Sequence, residues 1–204
     1  MDPRSKNQYF SDILDSKIIL DRYAEIYSAA LKSIDHHLLE NTLETIEQAV
    51  ANENIIYSIG NGGSASIADH LCCDFSKGTF ISGMKNLKSF SLSSNNAILT
   101  ALSNDIGYED SFSAQIEIYG ETGDILFAVS SSGNSANIIN ACQQAKEQNM
   151  TVIGLTGFDG GKLRHLADLS FHVDVHNYGL IEDLHVSIMH ILSQMLFKRK
   201  TAET

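Results

Sequence analysis

The chain has 204 residues, 43% of them hydrophobic, and its 14 Lys and Arg stand against 25 Asp and Glu for a net charge of −11. One sizeable core is within reach and no break in composition divides the chain, so a single domain is expected over 1–204, with N-terminal helices over 1–53 and an α/β core over 54–197. The acidic balance runs along the whole length and excludes nucleic acid as the expected partner; the cluster Lys198, Arg199, Lys200 reads as a solvated helix end.

The opening MDPRSKNQYF lacks a basic stretch followed by an apolar run, and no window approaches about eighteen apolar residues. Neither a leader nor a membrane span is expected, which makes the reading a cytoplasmic chain. Cys72, Cys73 and Cys142 are odd in number and include no CxxC, so they read as small buried hydrophobes rather than a disulfide framework.

From Phe10 to Asn52 apolar residues recur mostly at spacings of three and four (Ile13, Ile18, Leu20, Tyr23, Ile26, Ala30, then Leu38, Leu39, Leu43, Ile46, Val50), which predicts two or three helices. Five short apolar runs follow, IIYSI at 55–59, LKSFSLS at 87–93, ILFAVS at 125–130, TVIGLT at 151–156 and LSFHVDV at 169–175, separated by segments of helical period. Such alternation predicts a doubly wound five-stranded parallel sheet with helices on both faces. The final stretch, from Ile181 to Leu196, reads as an amphipathic helix packed on the sheet or on a partner chain.

Two strand-to-helix junctions carry polar chemistry. After the first strand, Gly60, Gly62 and Gly63 permit a sharp turn while Asn61 and Ser64 stand where a helix presents unpaired N–H donors. After the third, Ser130, Ser131 and Ser132 precede the Gly133–Asn134 turn, and Ser135 stands at the helix start. Hydroxyls beside a helix N-terminus can hold a phosphate without any net positive charge. Gly60, Gly62 and Ala65 also satisfy G-x-G-x-x-[GA]. A dinucleotide site further needs an acidic residue at the end of the second strand, and no Asp or Glu lies between Asp74 and Asp105.

His70 and Asp74 are four residues apart on one helix face, and the last helix carries Glu182, Asp183, His185 and His190. Two imidazoles and two carboxylates suit a zinc-like divalent ion, or an acid–base pair. His36, His37, His165, His172 and His176 read as surface or loop residues.

The blocks GNGGSASIADH, NDIGYEDSFSAQ, SSSGNSANIINA, VIGLTGFDGGKL and EDLHVSIMHIL, in that order, resemble the sugar isomerase (SIS) domain family and within it the phosphoheptose isomerases. The resemblance implies a flavodoxin-like sheet and interconversion of sedoheptulose 7-phosphate with a manno-heptose 7-phosphate through an enediol. It implies phosphate binding by Ser130, Ser132 and Ser135 with Ser131, and sugar contacts by Asn61, Gly62, Gly63, Ser64, Asp105 and Glu182. The implied acid–base pair is Asp74 and His190, with Asp74 replacing a glutamate. A divalent metal, zinc by resemblance, falls to His70, Asp74, Glu182 and His190, with Glu182 replacing a glutamine. Gly179 departs from an aspartate near the substrate. Homotetramers are implied as well, and so is an alternative, since similar SIS proteins bind partners such as a replication initiator without catalysis.

Overall fold

The computed structural model describes residues 9–202; Pro3 and the rest of the opening octapeptide lie outside the described residues. Two helices, α1 (Ser16–Lys32) and α2 (His36–Ala51), precede the alternating part. Their starts are set by aspartates: Asp15 accepts from the Lys17 and Ile18 amides, and Asp35 accepts from the His37 amide. Five strands follow, β1 (Ile55–Gly60), β2 (Lys88–Ser91), β3 (Ile125–Val129), β4 (Thr151–Thr156) and β5 (Leu169–His172). Between them come α3 (Gly63–Cys73), α4 (Asn96–Asp105), α5 (Ser111–Tyr119), α6 (Ala136–Glu147) and α7 (Leu163–Leu166), and the long α8 (Tyr178–Ala202) ends the fold.

All pairings are parallel and the strand order is β2-β1-β3-β4-β5. β3 shows why the strands read as unbroken apolar runs. Ile125, Phe127 and Val129 enter one core with Leu43 and Ile46 of α2, Leu71 of α3 and Leu184, Ile188 and Leu192 of α8. Leu126 and Ala128 enter the other, with Phe112 and Ile116 of α5 and Ile138 and Cys142 of α6. Successive side chains point to opposite faces, so a strand covered on both sides must be apolar throughout.

β5 stops at His172, three residues short of the expected run. There His172 is half-buried, its Nδ1 3.1 Å from the Thr156 hydroxyl, rather than a surface residue. Nor is the basic tail freely solvated: Arg199 bridges Glu40 and Glu47 of α2, and Lys200 donates to the Thr79 carbonyl and the Asn86 side chain. Cys142 is buried as expected and Cys72 partly so, but Cys73 is exposed. Among the described residues no helix is long and apolar enough to cross a membrane.

Candidate active site

In this strand order the chain winds outward in opposite directions from β1 and β3, and the ends of such a pair open a crevice. Gly60 pairs with Val129, so the two polar junctions leave the sheet side by side. Gly60 is required there, because a Cβ would stand 2.2 Å from the Ser64 carbonyl oxygen. Gly62 takes φ +57°, a conformation side chains disfavour. The Gly133 corner is fixed from outside: a Cβ would lie 1.9 Å from the Gly160 carbonyl oxygen, and the Leu163 amide donates to the Gly133 carbonyl.

A cavity of about 200 Å³ lies between the junctions, lined by Asn61, Ser64, Ser130, Ser131, Ser132, Ser135, Tyr178 and Glu182 among others. The Ser131 hydroxyl is buried without a partner. Ser135 occupies the N-cap position of α6 but its side chain makes no capping bond. Two hydroxyls at one helix N-terminus are therefore uncommitted, in a lining that holds no Lys or Arg. Such an arrangement suits an anion, which hydrogen bonds and the helix dipole would both favour.

Asn61 is more constrained than its motif suggests. Its amide exchanges two bonds with Asn137, both 2.9 Å, and its Oδ1 also accepts from the Tyr108 hydroxyl at 2.7 Å. One N–H remains for a ligand. Asn137 and Tyr108 lie within the SSSGNSANIINA and NDIGYEDSFSAQ blocks but carry no role there, and only the folded juxtaposition marks them as the partners of Asn61. Asp105 lies exposed at the end of α4, accepting from the Asn104 side chain, and is not part of the cavity lining.

The histidines and Asp74 form a second group. Asp74 stands where α3 widens into a π-helical turn, Asp74–Gly78. One carboxylate oxygen lies 3.4 Å from His70 Nε2 and the other 3.3 Å from His190 Nε2, and the two Nε2 atoms are 3.5 Å apart. The two contacts end on different Asp74 oxygens; taking one donor atom from each residue, the three potential ligands lie within 4.8 Å of one another, close enough to share a divalent ion. The shorter side chain of Asp74 reaches both imidazoles.

The expected quartet is not assembled. The cluster of potential ligands is His70, Asp74 and His190, without Glu182. Glu182 instead packs on the first residue of α3: a Cβ at Gly63 would lie 2.6 Å from its Oε1. From Gly63 to His70 is seven residues and from Glu182 to His190 eight, so α3 and α8 run in the same direction. At 1.5 Å rise per residue the two levels are about 10–12 Å apart. Burial, with Asp183 beside it, raises the Glu182 carboxyl above the usual carboxylate range. His185 also departs from the ligand group. It is fully buried, and burial lowers its imidazole to about 4. The Thr156 backbone offsets only part of that, because neither ring nitrogen reaches ordinary hydrogen-bond geometry.

A crevice at the strand ends, hydroxyl donors at a helix N-terminus and no dinucleotide acid together define a phosphosugar-type site, and the chain belongs to the SIS domain family, whose model matches residues 21–157. Within that class the likenesses are narrower. A phosphoheptose isomerase of Helicobacter pylori is 37% identical over 181 residues, covering 89% of this chain and 90% of the relative. One from Rhodospirillum rubrum is 40% identical over 133 residues, 65% of this chain and 70% of that protein. The solved phosphoheptose isomerase of Neisseria gonorrhoeae superposes with a TM-score of 0.80 at 30% identity, over 88% of this chain and 97% of that one. That of Francisella tularensis gives 0.83 at 25% identity, over 89% and 96%.

Proposed function

We propose that the protein is an aldose–ketose isomerase acting on a phosphosugar, with sedoheptulose 7-phosphate and manno-heptose 7-phosphate as its ketose and aldose. The observation that carries this reading is the pairing of an uncommitted hydroxyl cluster with a His–Asp–His triangle on adjoining helices, in a chain similar to phosphoheptose isomerases along most of its length.

Ser130, Ser131, Ser132 and Ser135 take the phosphate, and the α6 N-terminus adds its dipole. Asn61, Ser64 and Glu182 face the sugar hydroxyls, with Gly62 and Gly63 allowing close approach. Asp105 joins the sugar contacts only from outside the cavity lining, as a residue offered to a neighbouring subunit would. Isomerisation needs a proton removed beside the carbonyl and another delivered to the adjacent carbon of the enediol. Asp74 and His190 are the acid and base for these transfers, with their carboxylate and Nε2 facing each other at 3.3 Å.

The same donor set fits a divalent ion, by the proximity of its ligand atoms and by its two nitrogens and one carboxylate. When bound there, zinc would act as a Lewis acid toward the carbonyl oxygen, and a donor atom of Asp74 or His190 that it engages would then not be free to carry the proton, leaving the transfer to the other residue. Glu182 falls outside this set and remains with the sugar. Self-association completes the reading: α1 buries no residue within the chain, and Leu14, Ile18 and Leu20 are exposed at 99%, 53% and 68%. A homotetramer would cover these side chains. The setting assigned is the cytoplasm, where phosphorylated sugars are held.

Purified protein given sedoheptulose 7-phosphate, with added zinc and separately with a chelator, should form the aldose and lose the activity on chelation. Absence of turnover, together with capture of a protein partner that survives excess phosphosugar, would favour the non-catalytic alternative.

A further inference from the structure

Hydroxyls at the α6 N-terminus read a phosphate ester and nothing beyond it, so discrimination between one phosphosugar and another must come from the other walls. Tyr178, the first residue of α8, contributes to the same lining as the four serines and is 38% exposed. The next residue offers no side chain. A Cβ at Gly179 would meet only ordinary contacts, 3.4 Å to Asn177 and 3.6 Å to Tyr23, leaving Tyr178 as the bulky group at that corner.

The Tyr178 ring is braced from behind. Phe158 meets it edge-on, with centroids 4.9 Å apart at 72°, and on its other side meets His176 at 5.8 Å and 78°. Phe158 has φ +50°, which a bulky side chain adopts only when its surroundings impose it. Those surroundings are visible. The Phe158 amide donates to the Val175 carbonyl at 3.1 Å, and the Gly157 amide donates to the Ser131 carbonyl at 2.9 Å. The Lys162 amide closes the turn onto Asn134 at 3.1 Å. One turn, 157–162, is thereby tied to the serine loop at both ends while its Phe158 braces the aromatic wall, which fixes the distance between phosphate and wall.

We propose that Tyr178 is a specificity-determining residue, its ring face packing on the carbon chain of the bound phosphosugar, and that Phe158 is the positioning residue that holds it. This rests on the phosphosugar reading above. An aromatic ring presents a large apolar face to sugar C–H groups and costs little side-chain entropy to order.

Wild type, Tyr178→Ala, Phe158→Ala and the double variant are compared on ketose phosphates of five, six and seven carbons, with inorganic phosphate as competitor. Tyr178→Ala should raise KM for the preferred substrate about tenfold, the loss of one well-packed aromatic contact, while kcat changes about threefold at most. The preference among chain lengths should narrow, and inhibition by inorganic phosphate should stay as in wild type. Phe158→Ala should move KM the same way, and the double variant should add little to either single change. A folded Tyr178→Ala with unchanged KM and preference overturns the proposal. So does an equal weakening of all substrates and inorganic phosphate, which would mean a loosened serine loop. If wild type turns over none of the sugars, calorimetric binding of the same panel decides. Sugar-dependent affinity lost in Tyr178→Ala supports the proposal while the isomerase reading falls; a wild type that binds none of them sinks both.

Discussion

The Ser131 hydroxyl is a buried polar group with nothing to bond to, a state that costs about 1–3 kcal/mol in the free protein and is relieved when a ligand oxygen accepts from it. Ser131→Ala is therefore expected to hold or raise the melting temperature while weakening phosphosugar binding about tenfold. A lower melting temperature with unchanged KM would assign the hydroxyl to the fold instead. Glycines at the first junction divide in the same manner. A Cβ at Gly60 meets backbone, 2.2 Å from the Ser64 carbonyl oxygen, whereas a Cβ at Gly63 meets the far end of the Glu182 side chain at 2.6 Å. Gly60→Ala should fail to fold. Gly63→Ala should fold, displace the Glu182 carboxylate and lower kcat/KM; thermal melts beside steady-state kinetics check both. The need for glycine here was legible in the GNGGS spelling, but the reason at Gly63 was not, since Glu182 lies more than a hundred residues further along the chain.

Pairs of elements decide what the titratable groups do. The spacing of His70 and Asp74 on one helix was enough to place them together, and His190 joins them because α8 lies along α3 in the same direction. That register also separates Glu182 from the triangle by about two helical turns. Helical period told which residues share a face of α8; it carried no information on how α8 is set against α3. For that reason a four-ligand site was expected where three ligands converge. Metal analysis follows from the geometry. His70→Ala and His190→Ala should each remove most of the bound divalent ion, and Glu182→Ala should retain it. Equal loss in Glu182→Ala would mean that the Glu182 side chain turns toward the triangle. Asn137 and Tyr108 mark the same limit, since they hold Asn61 across elements that sequence blocks treat as separate.

Across the molecule, the sheet was readable in advance because each strand is covered on both faces and so spells an uninterrupted apolar run. The two edge strands, β2 and β5, fit least well, each spanning four residues of an expected seven. Acid sensitivity is expected from α8. His185 is fully buried with its imidazole lowered to about 4, so an unfolded chain binds a proton below the ordinary value near 6.5 that the folded chain refuses. Its contribution is complete above that value and fades as pH falls toward 4, by up to about 3 kcal/mol over the whole window. Urea unfolding at pH 7 and pH 5 should show a loss that is smaller in His185→Leu; equal losses would place the sensitivity elsewhere. Assembly is a separate expectation: native mass should be a multiple of the 22.4 kDa chain, and Leu20→Asp should reduce it.

In the proposed reaction one crevice grips a phosphate with hydroxyls while Asp74 and His190 move protons at the sugar's other end. Conversion of sedoheptulose 7-phosphate in heavy water, followed by NMR, addresses it most directly. Wild type should give the aldose carrying solvent deuterium at C2, and His190→Ala should give it at least about a hundredfold more slowly. No aldose from any ketose phosphate of five to seven carbons, or equal conversion by His190→Ala, would contradict it.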